Sequence, residues 1–471
     1  MRVLAIDQGT SGTKAAVVDG SGAVVALAEV PVRPQYLAGG RVEQDPSELL
    51  DSVLAAGNAA VSEAGGGIDM VSLANQGETV LVWDPRTGRP SGPALVWQDG
   101  RAAEVCDAMA EHASSIAERT GLVLDPYFSA PKMAWLRRHG EAGGVVTTTD
   151  TWLLHRLTGE FVTDATTASR SLLLDLDTGQ WDGELAGLFG LEGEALPTVV
   201  DCDAVVGSTD AFGGGIPVGG LMVDQQAALV AESCIDAGSA KCTVGTGAFL
   251  LASCGSEAVR SREGLTTSIA HRTRDGLAYC IDGQAFTAAS AVRWMVDLGL
   301  LAAAAGLDAA CADSSGGVFF VPALAGLAAP WWRADARASF TGMSLATGTG
   351  ELVRSVVEGV AAQIAELLRV VESDLGRRID VLRLDGGLTR SSVLVQALAD
   401  LAQRPVEVYA SPHATAMGVA AMGRMALETT LRLADAVWPW QPSAVCDPRW
   451  TADRAADFMH RWTSAVQAEV S

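Results

Sequence analysis

The sequence predicts an α/β protein made of two copies of one open-sheet unit, with a cleft between the copies. Three observations predict it. Turns of glycine and hydroxyl residues, each set between apolar strand-like runs, occur twice: Asp7-Gln8-Gly9-Thr10-Ser11-Gly12-Thr13-Lys14 and Gly245-Thr246-Gly247. After each turn the same order returns, a hairpin followed by an amphipathic helix and a buried strand that ends in polar or glycine residues. The length of 471 residues, with 49% hydrophobic and 19% charged residues, suits two or three globular domains.

The elements follow in order. Val3–Ile6, Ala15–Val18 and Ala23–Ala28 read as strands, the first two joined by the first turn. Asp45-Pro46-Ser47-Glu48 is a helix start, with an acid at the N-cap, proline at the first position and glutamate at the third. The helix buries Leu49, Leu50, Val53, Leu54, Ala60 and Val61 along one side. A strand over Ile68–Ala74 then runs into Asn75-Gln76-Gly77-Glu78-Thr79. Polar residues just past the carboxyl end of a strand are where α/β proteins place ligand contacts. In the second half, strand-turn-strand covers Lys241 to Ala252, and a long helix runs through Leu352, Val356, Val360, Ile364, Leu367 and Val371. Val381–Leu384 is a strand ending in Asp385-Gly386-Gly387, and Ser391–Gln403 is a helix. Strand Val406–Tyr409 leads to the small-residue helix Ala414–Met425. The boundary is expected near residues 229–240, dividing 1–230 from 231–471, with the tail beyond about residue 430 as a helical cap on the second domain.

Two turns that converge backbone N–H groups and short hydroxyls suit the oxygens of a phosphate chain, and one turn per half suggests a nucleotide gripped between domains. The formal charge of −23 argues against nucleic acid or an anionic membrane as partner. The apolar stretch before Asp7 is too short for a signal peptide, and the alanine-rich run near Leu298–Leu307 is too short to span a bilayer. Eight cysteines without C-x-x-C spacing, and only six histidines, argue against a zinc site or disulfide framework and favour a reducing cytoplasm.

Further motifs sharpen this. Tyr127-Phe128-Ser129-Ala130-Pro131-Lys132-Met133-Ala134-Trp135-Leu136 and Ala338-Ser339-Phe340-Thr341-Gly342-Met343, the latter followed by Glu351-Leu352-Val353-Arg354-Ser355, resemble the two signatures of the FGGY carbohydrate kinases. With both turns and Leu384-Asp385-Gly386-Gly387, the resemblance runs along nearly the whole chain. It implies the duplicated ribonuclease-H-like fold shared with actin and hexokinase, and phosphoryl transfer from ATP to an alcohol. Asn75-Gln76-Gly77-Glu78-Thr79, Val96-Trp97-Gln98-Asp99 and Asp224-Gln225-Gln226-Ala227-Ala228 resemble the glycerol-kinase branch more than the xylulokinase one.

The resemblance assigns roles. The acceptor pocket falls on Gly77, Glu78, Trp97, Tyr127, Asp224, Gln225 and Phe249, with glycine at 77 where that branch has arginine. Losing the arginine removes about 1.5–3 kcal/mol of charge-assisted hydrogen bonding and leaves room for a longer polyol or a ketose. Asp224 follows the apolar run Leu221-Met222-Val223 and is the expected base; an N-cap role on the next helix is compatible with that. Asp7 is the expected holder of Mg²⁺, through water. Thr10, Ser11, Gly12, Thr13 and Lys14 are expected at the outer phosphates, and Gly245, Thr246 and Gly247 at the middle ones. Gly386, Gly387 and Ser391 are expected beside the adenosine. Ala289 and Arg293 stand where related kinases carry glycine and glutamine at the nucleotide. The expected partners are therefore ATP or ADP with Mg²⁺ and a small polyol or sugar, and a homodimer or higher homo-oligomer stays open. The nearest alternative changes the acceptor to a ketopentose. A non-catalytic sugar or nucleotide sensor and an actin- or chaperone-like ATPase are more remote.

Overall fold

The computed structural model describes residues 1–140 and 143–470. In the first half, β1 (Arg2–Gln8), β2 (Gly12–Asp19) and β3 (Val24–Pro31) form an antiparallel meander, and α1 (Pro46–Glu63) follows. The α1 start is capped as its sequence predicts, with the Asp45 carboxylate accepting from Ser47 N. β4 (Met70–Asn75) returns parallel to β1. After an insertion, β5 (Val205–Thr209) and β6 (Ile216–Val223) complete a six-stranded sheet in the order β5-β6-β4-β1-β2-β3. Helix α2 (Asp224–Ala231) leaves directly from the end of β6.

The second half repeats the pattern. β7 (Ala240–Val244), β8 (Ala248–Gly255), β9 (Thr266–Thr273) and β10 (Gly276–Ala285) form the antiparallel part. α3 (Thr349–Leu375) is followed by β11 (Leu382–Asp385), parallel to β7, then α4 (Ser392–Ala402) and β12 (Val406–Tyr409), parallel to β11. α5 (Ala414–Leu427), an antiparallel edge strand β13 (Pro442–Cys446) and α6 (Ala452–Val470) end the chain. The sheet order is β9-β10-β8-β7-β11-β12-β13. In both sheets an antiparallel meander joins two parallel strands and then an antiparallel edge strand, so the duplication holds at the level of strand direction.

Alternation along β1 builds two cores at once. Leu4 and Ile6 pack with Leu49 and Val53 of α1, while Val3 and Ala5 pack with Ala420 and Met422 of α5. Each such large aliphatic side chain contributes about 1.5–3 kcal/mol on burial. The sequence places α5 with the second half of the chain. In space it covers the first sheet, lying on β1, β4 and β6 and against α2, while α2 reaches β7 and β8. Its small residues permit this approach: a Cβ at Gly418 would run into the backbone of Ala227. The tail supplies a strand as well as a helix, and α6 packs on α4 and the short strand Phe319–Val321.

Candidate active site

The carboxyl ends of the central strands from both sheets open into one cleft with a cavity of about 480 Å³. Both turns reach it. The first closes with Gly9 N–H donating to Gly12 O at 3.0 Å, and Thr10 and Ser11 line the cleft. The second closes from Gly245 N–H to Gly247 O at 2.9 Å, and all three of its residues line the opposite side. The carbonyls of Gly245 and Thr246 accept from the amides of residues 288–290, which anchors the turn on the helix Ala289–Asp297. Arg293 is exposed on that helix.

Other residues of the first turn are placed differently. Thr13 lies within β2, where successive side chains alternate between faces. Its buried hydroxyl meets Ser52 Oγ of α1 at 2.7 Å, on the side of the sheet away from the cleft, so Thr13 does not join the phosphate-facing group. Gly12 packs against β3, where an added Cβ would sit 2.9 Å from Val30 O. Lys14 stands directly opposite Asp7 across the β1–β2 pair, and its charge partly offsets the burial that pushes the Asp7 carboxyl up to about 6.

Gly386 turns at φ +95°, against the Val244 backbone that leads into the second turn. Gly387 begins a short 3₁₀ turn ending at Arg390. Ser391 is the N-cap of α4, and its hydroxyl is engaged by Asp308 and Leu394 N. Only Gly386 abuts the strand entering the second turn, and none of the three borders the cavity.

The other end of the cleft is aromatic. Trp97 meets Tyr127 and Phe249 edge-on, with centroids 5.5 and 6.0 Å apart, and its Nε1 donates to Thr10 Oγ1 at 2.9 Å. This bond joins the aromatic end to the first turn. The segment carrying Tyr127 is held by Lys132, whose buried Nζ donates to the carbonyls of Pro126, Tyr127 and Phe128 at 2.7, 2.5 and 2.6 Å.

Glu78 is buried, with its backbone held at φ +57°, an unfavourable conformation for a residue with a side chain. It forms an ion pair with Arg170, which also donates to Asp282 Oδ1 at 2.9 Å. The guanidinium lies over Tyr127, 5.8 Å from the ring centroid. Beside Glu78, Gly77 borders the cavity. A Cβ there would lie 2.9 Å from Val223 Cγ2 and, its chain neighbours aside, within 4 Å of no other heavy atom, so the buried valine narrows the room on that side alone.

Asp224 is the first residue of α2 and borders the cavity. Burial, then Asp7 and Glu78, push its carboxyl up to about 7, against the pull of Lys241. The charge of Asp385 also raises the Asp7 carboxyl, and that of Asp7 raises Asp224, so both lie within electrostatic reach of Asp7. The aromatic seat, the carboxylate at 224 and two facing turns together suit transfer between a phosphate chain and a hydroxylated molecule.

The family models described as the N-terminal and C-terminal domains of the FGGY family of carbohydrate kinases match residues 2–231 and 240–427. The chain belongs to the FGGY carbohydrate kinases. This FGGY kinase is 38% identical to the glycerol kinase of Cereibacter sphaeroides, with 99% of each chain covered, and 40% identical to that of Alkalilimnicola ehrlichii, with 90% of each covered. Among solved structures, Plasmodium falciparum glycerol kinase with ADP matches it at TM-score 0.92 and 30% identity, covering 100% of this chain and 98% of that one. A xylulose kinase from Lactobacillus acidophilus, 20% identical at TM-score 0.88, shares the fold, with 99% of this chain and 98% of that one covered. The FGGY kinase is thus an ATP-dependent phosphotransferase acting on an alcohol group. Among its described residues, no helix is long and apolar enough to cross a membrane.

Sequence reasoning missed Arg170, Asp282 and Lys241. Arg170 has no acid within four residues in the run Ala165–Leu174, so its partners had to be distant, and that is the one signal it left. Lys241 interrupts the otherwise uncharged strand 240–244, a sign of an internal partner.

Proposed function

We propose that this kinase transfers the γ-phosphoryl group of ATP to a terminal hydroxyl of a small uncharged polyol, with glycerol the leading acceptor and Asp224 the base. The observation that carries this is Asp224, which borders the cavity between the two turns and the Trp97–Tyr127–Phe249 cluster. Phosphoryl transfer asks chiefly for in-line positioning and charge stabilisation, and a carboxylate at the attacking hydroxyl takes its proton. Trp97 and Phe249 offer apolar edges for the carbon face of the acceptor. Glu78 and Gln225 offer hydrogen bonds to its hydroxyls. The Arg170 guanidinium is held between two carboxylates, so the seat favours neutral acceptors over acids.

Thr10, Ser11 and the Gly245–Gly247 turn would receive the phosphates, and Gly386 and Gly387 the adenosine side. For Mg²⁺ the donor set fits: buried carboxylates at 7 and 385 are held up by burial, and a divalent cation favours their charged forms. Among the described residues no three His, Cys, Asp or Glu side chains close on one point, which suits an ion that keeps its waters. Asp7 would hold it through water. When bound, the ion neutralises phosphate charge. The proposed division into 1–230 and 231–471 is supported by the two sheets falling on either side of it, with α5 crossing back. The unpaired thiols fit the cytoplasm.

A coupled ADP-release assay across glycerol, tetritols, pentitols, ketopentoses and glycerate tests the reading. Acceptor-dependent ADP release is expected, highest with glycerol or a tetritol and lowest with glycerate. Release that ignores every acceptor would overturn it.

A further inference from the structure

Lys241 stands in the middle of the second sheet, paired in register with Arg383 of β11 and Leu251 of β8. Its side chain has no exposed surface. An ammonium enclosed in this way needs its N–H bonds and its charge satisfied internally. Nζ donates to Gln225 Oε1 at 2.8 Å and to Thr243 Oγ1 at 2.7 Å. Its charge also draws against the buried carboxyls of Asp224, Glu232 and Asp385.

The two hydrogen bonds end in different places. Gln225 borders the cavity beside Asp224 at the start of α2, on the first half of the chain. Thr243 lies two residues before Gly245, where β7 enters the second turn. A lysine can only donate, so it fixes the Gln225 amide with oxygen inward and leaves its NH₂ as the group available to an acceptor oxygen. On the other side, the Thr243 hydroxyl accepts from Lys241 and is left to donate to Asp385, which leads into Gly386 and Gly387.

From this geometry we infer that Lys241 is a positioning residue that ties the acceptor seat to the second phosphate turn, so that filling one site favours filling the other. It acts through Gln225 and Thr243 and touches neither substrate. The inference rests on the acceptor assignment proposed above. Binding of an acceptor oxygen to the Gln225 NH₂ holds Oε1 on Lys241. That steadies Nζ on Thr243 and the strand entering the turn. The coupling is reciprocal, as linkage requires.

The test is the dissociation constant of β,γ-imido-ATP with Mg²⁺, measured by titration calorimetry with and without saturating glycerol. In the parent protein glycerol is expected to tighten nucleotide binding at least about 5-fold, the lower end of ordinary coupling. Thr243→Val cuts the link while keeping the lysine, its charge and its bond to Gln225. It is expected to bring the ratio within about 2-fold of unity, as is Lys241→Met, with Lys241→Arg recovering part of it. A merely structural lysine would lower the melting temperature and weaken both ligands alike, with the ratio kept. An unchanged ratio in Thr243→Val, or no coupling in the parent protein, would overturn the inference. Acceptor-dependent ADP release alongside either result would leave the kinase reading standing, so the two fail separately.

Discussion

To accept a proton from an alcohol, Asp224 has to be ionised, and its surroundings oppose that. With its carboxyl pushed up to about 7, kcat/KM, which reports the free enzyme, should rise with pH through about 7. Asp224→Asn is expected to lower kcat by about 10²–10⁴-fold and to remove that limb, measured by initial rates from pH 5.5 to 8.5. The same shift bears on stability with a definite sign. A carboxyl that holds its proton more tightly folded than unfolded costs stability as pH rises from about 4 through 7. The melting-temperature gain from Asp224→Asn should therefore grow from pH 4 to pH 7 and then level off. A gain that shrinks over this range would contradict the assigned surroundings.

Gly77 bears on the choice of acceptor. Because Val223 Cγ2 stands 2.9 Å from a Cβ at 77, Gly77→Arg alone should lower kcat/KM for every acceptor by about tenfold or more. Adding Val223→Gly should recover turnover and shift preference toward glycerol, by about 10–200-fold relative to a pentitol. Equal behaviour of the single and double variants would mean the valine is no obstacle. Arg170, Val223 and Lys241 left little in the sequence because their partners lie far along the chain. Trp97, Tyr127, Glu78 and Asp224 were legible because motifs carry them.

Among the elements, β2 shows how a correct strand can yield a wrong contact. The hairpin and its pairing were readable from apolar runs, yet the period of two sends Thr13 to α1 and Lys14 to the other face of the sheet, opposite Asp7. Treating the turn as a unit overlooked where the strand begins. Helix α5 shows the opposite limit. Its small residues announced close packing, but nothing local could say against which sheet. The crossing with α2 is tight enough for a direct test. Gly418→Ala, whose methyl would press on the Ala227 backbone, should cost about 1–3 kcal/mol, read from urea unfolding midpoints. A midpoint within error of the parent protein would show that the helices have slack.

Over the whole molecule, the duplication was readable because both halves use the same strand directions and place a phosphate-type turn at the same point. The cleft was harder to see in detail. It draws on the insertion between β4 and β5 as well as on the two sheets, and Trp97 and Tyr127 both come from that insertion.

The seating of α5 on the first sheet also bears on how the protein is made. A nascent chain emerging from the ribosome exposes Val3, Ala5 and Met70 well before residues 414–427, part of their cover, have been made. The first sheet can collapse onto α1 during translation but keeps its other face bare until α5 has been made. Messages truncated before this helix would release products with that face open to chaperones and proteases.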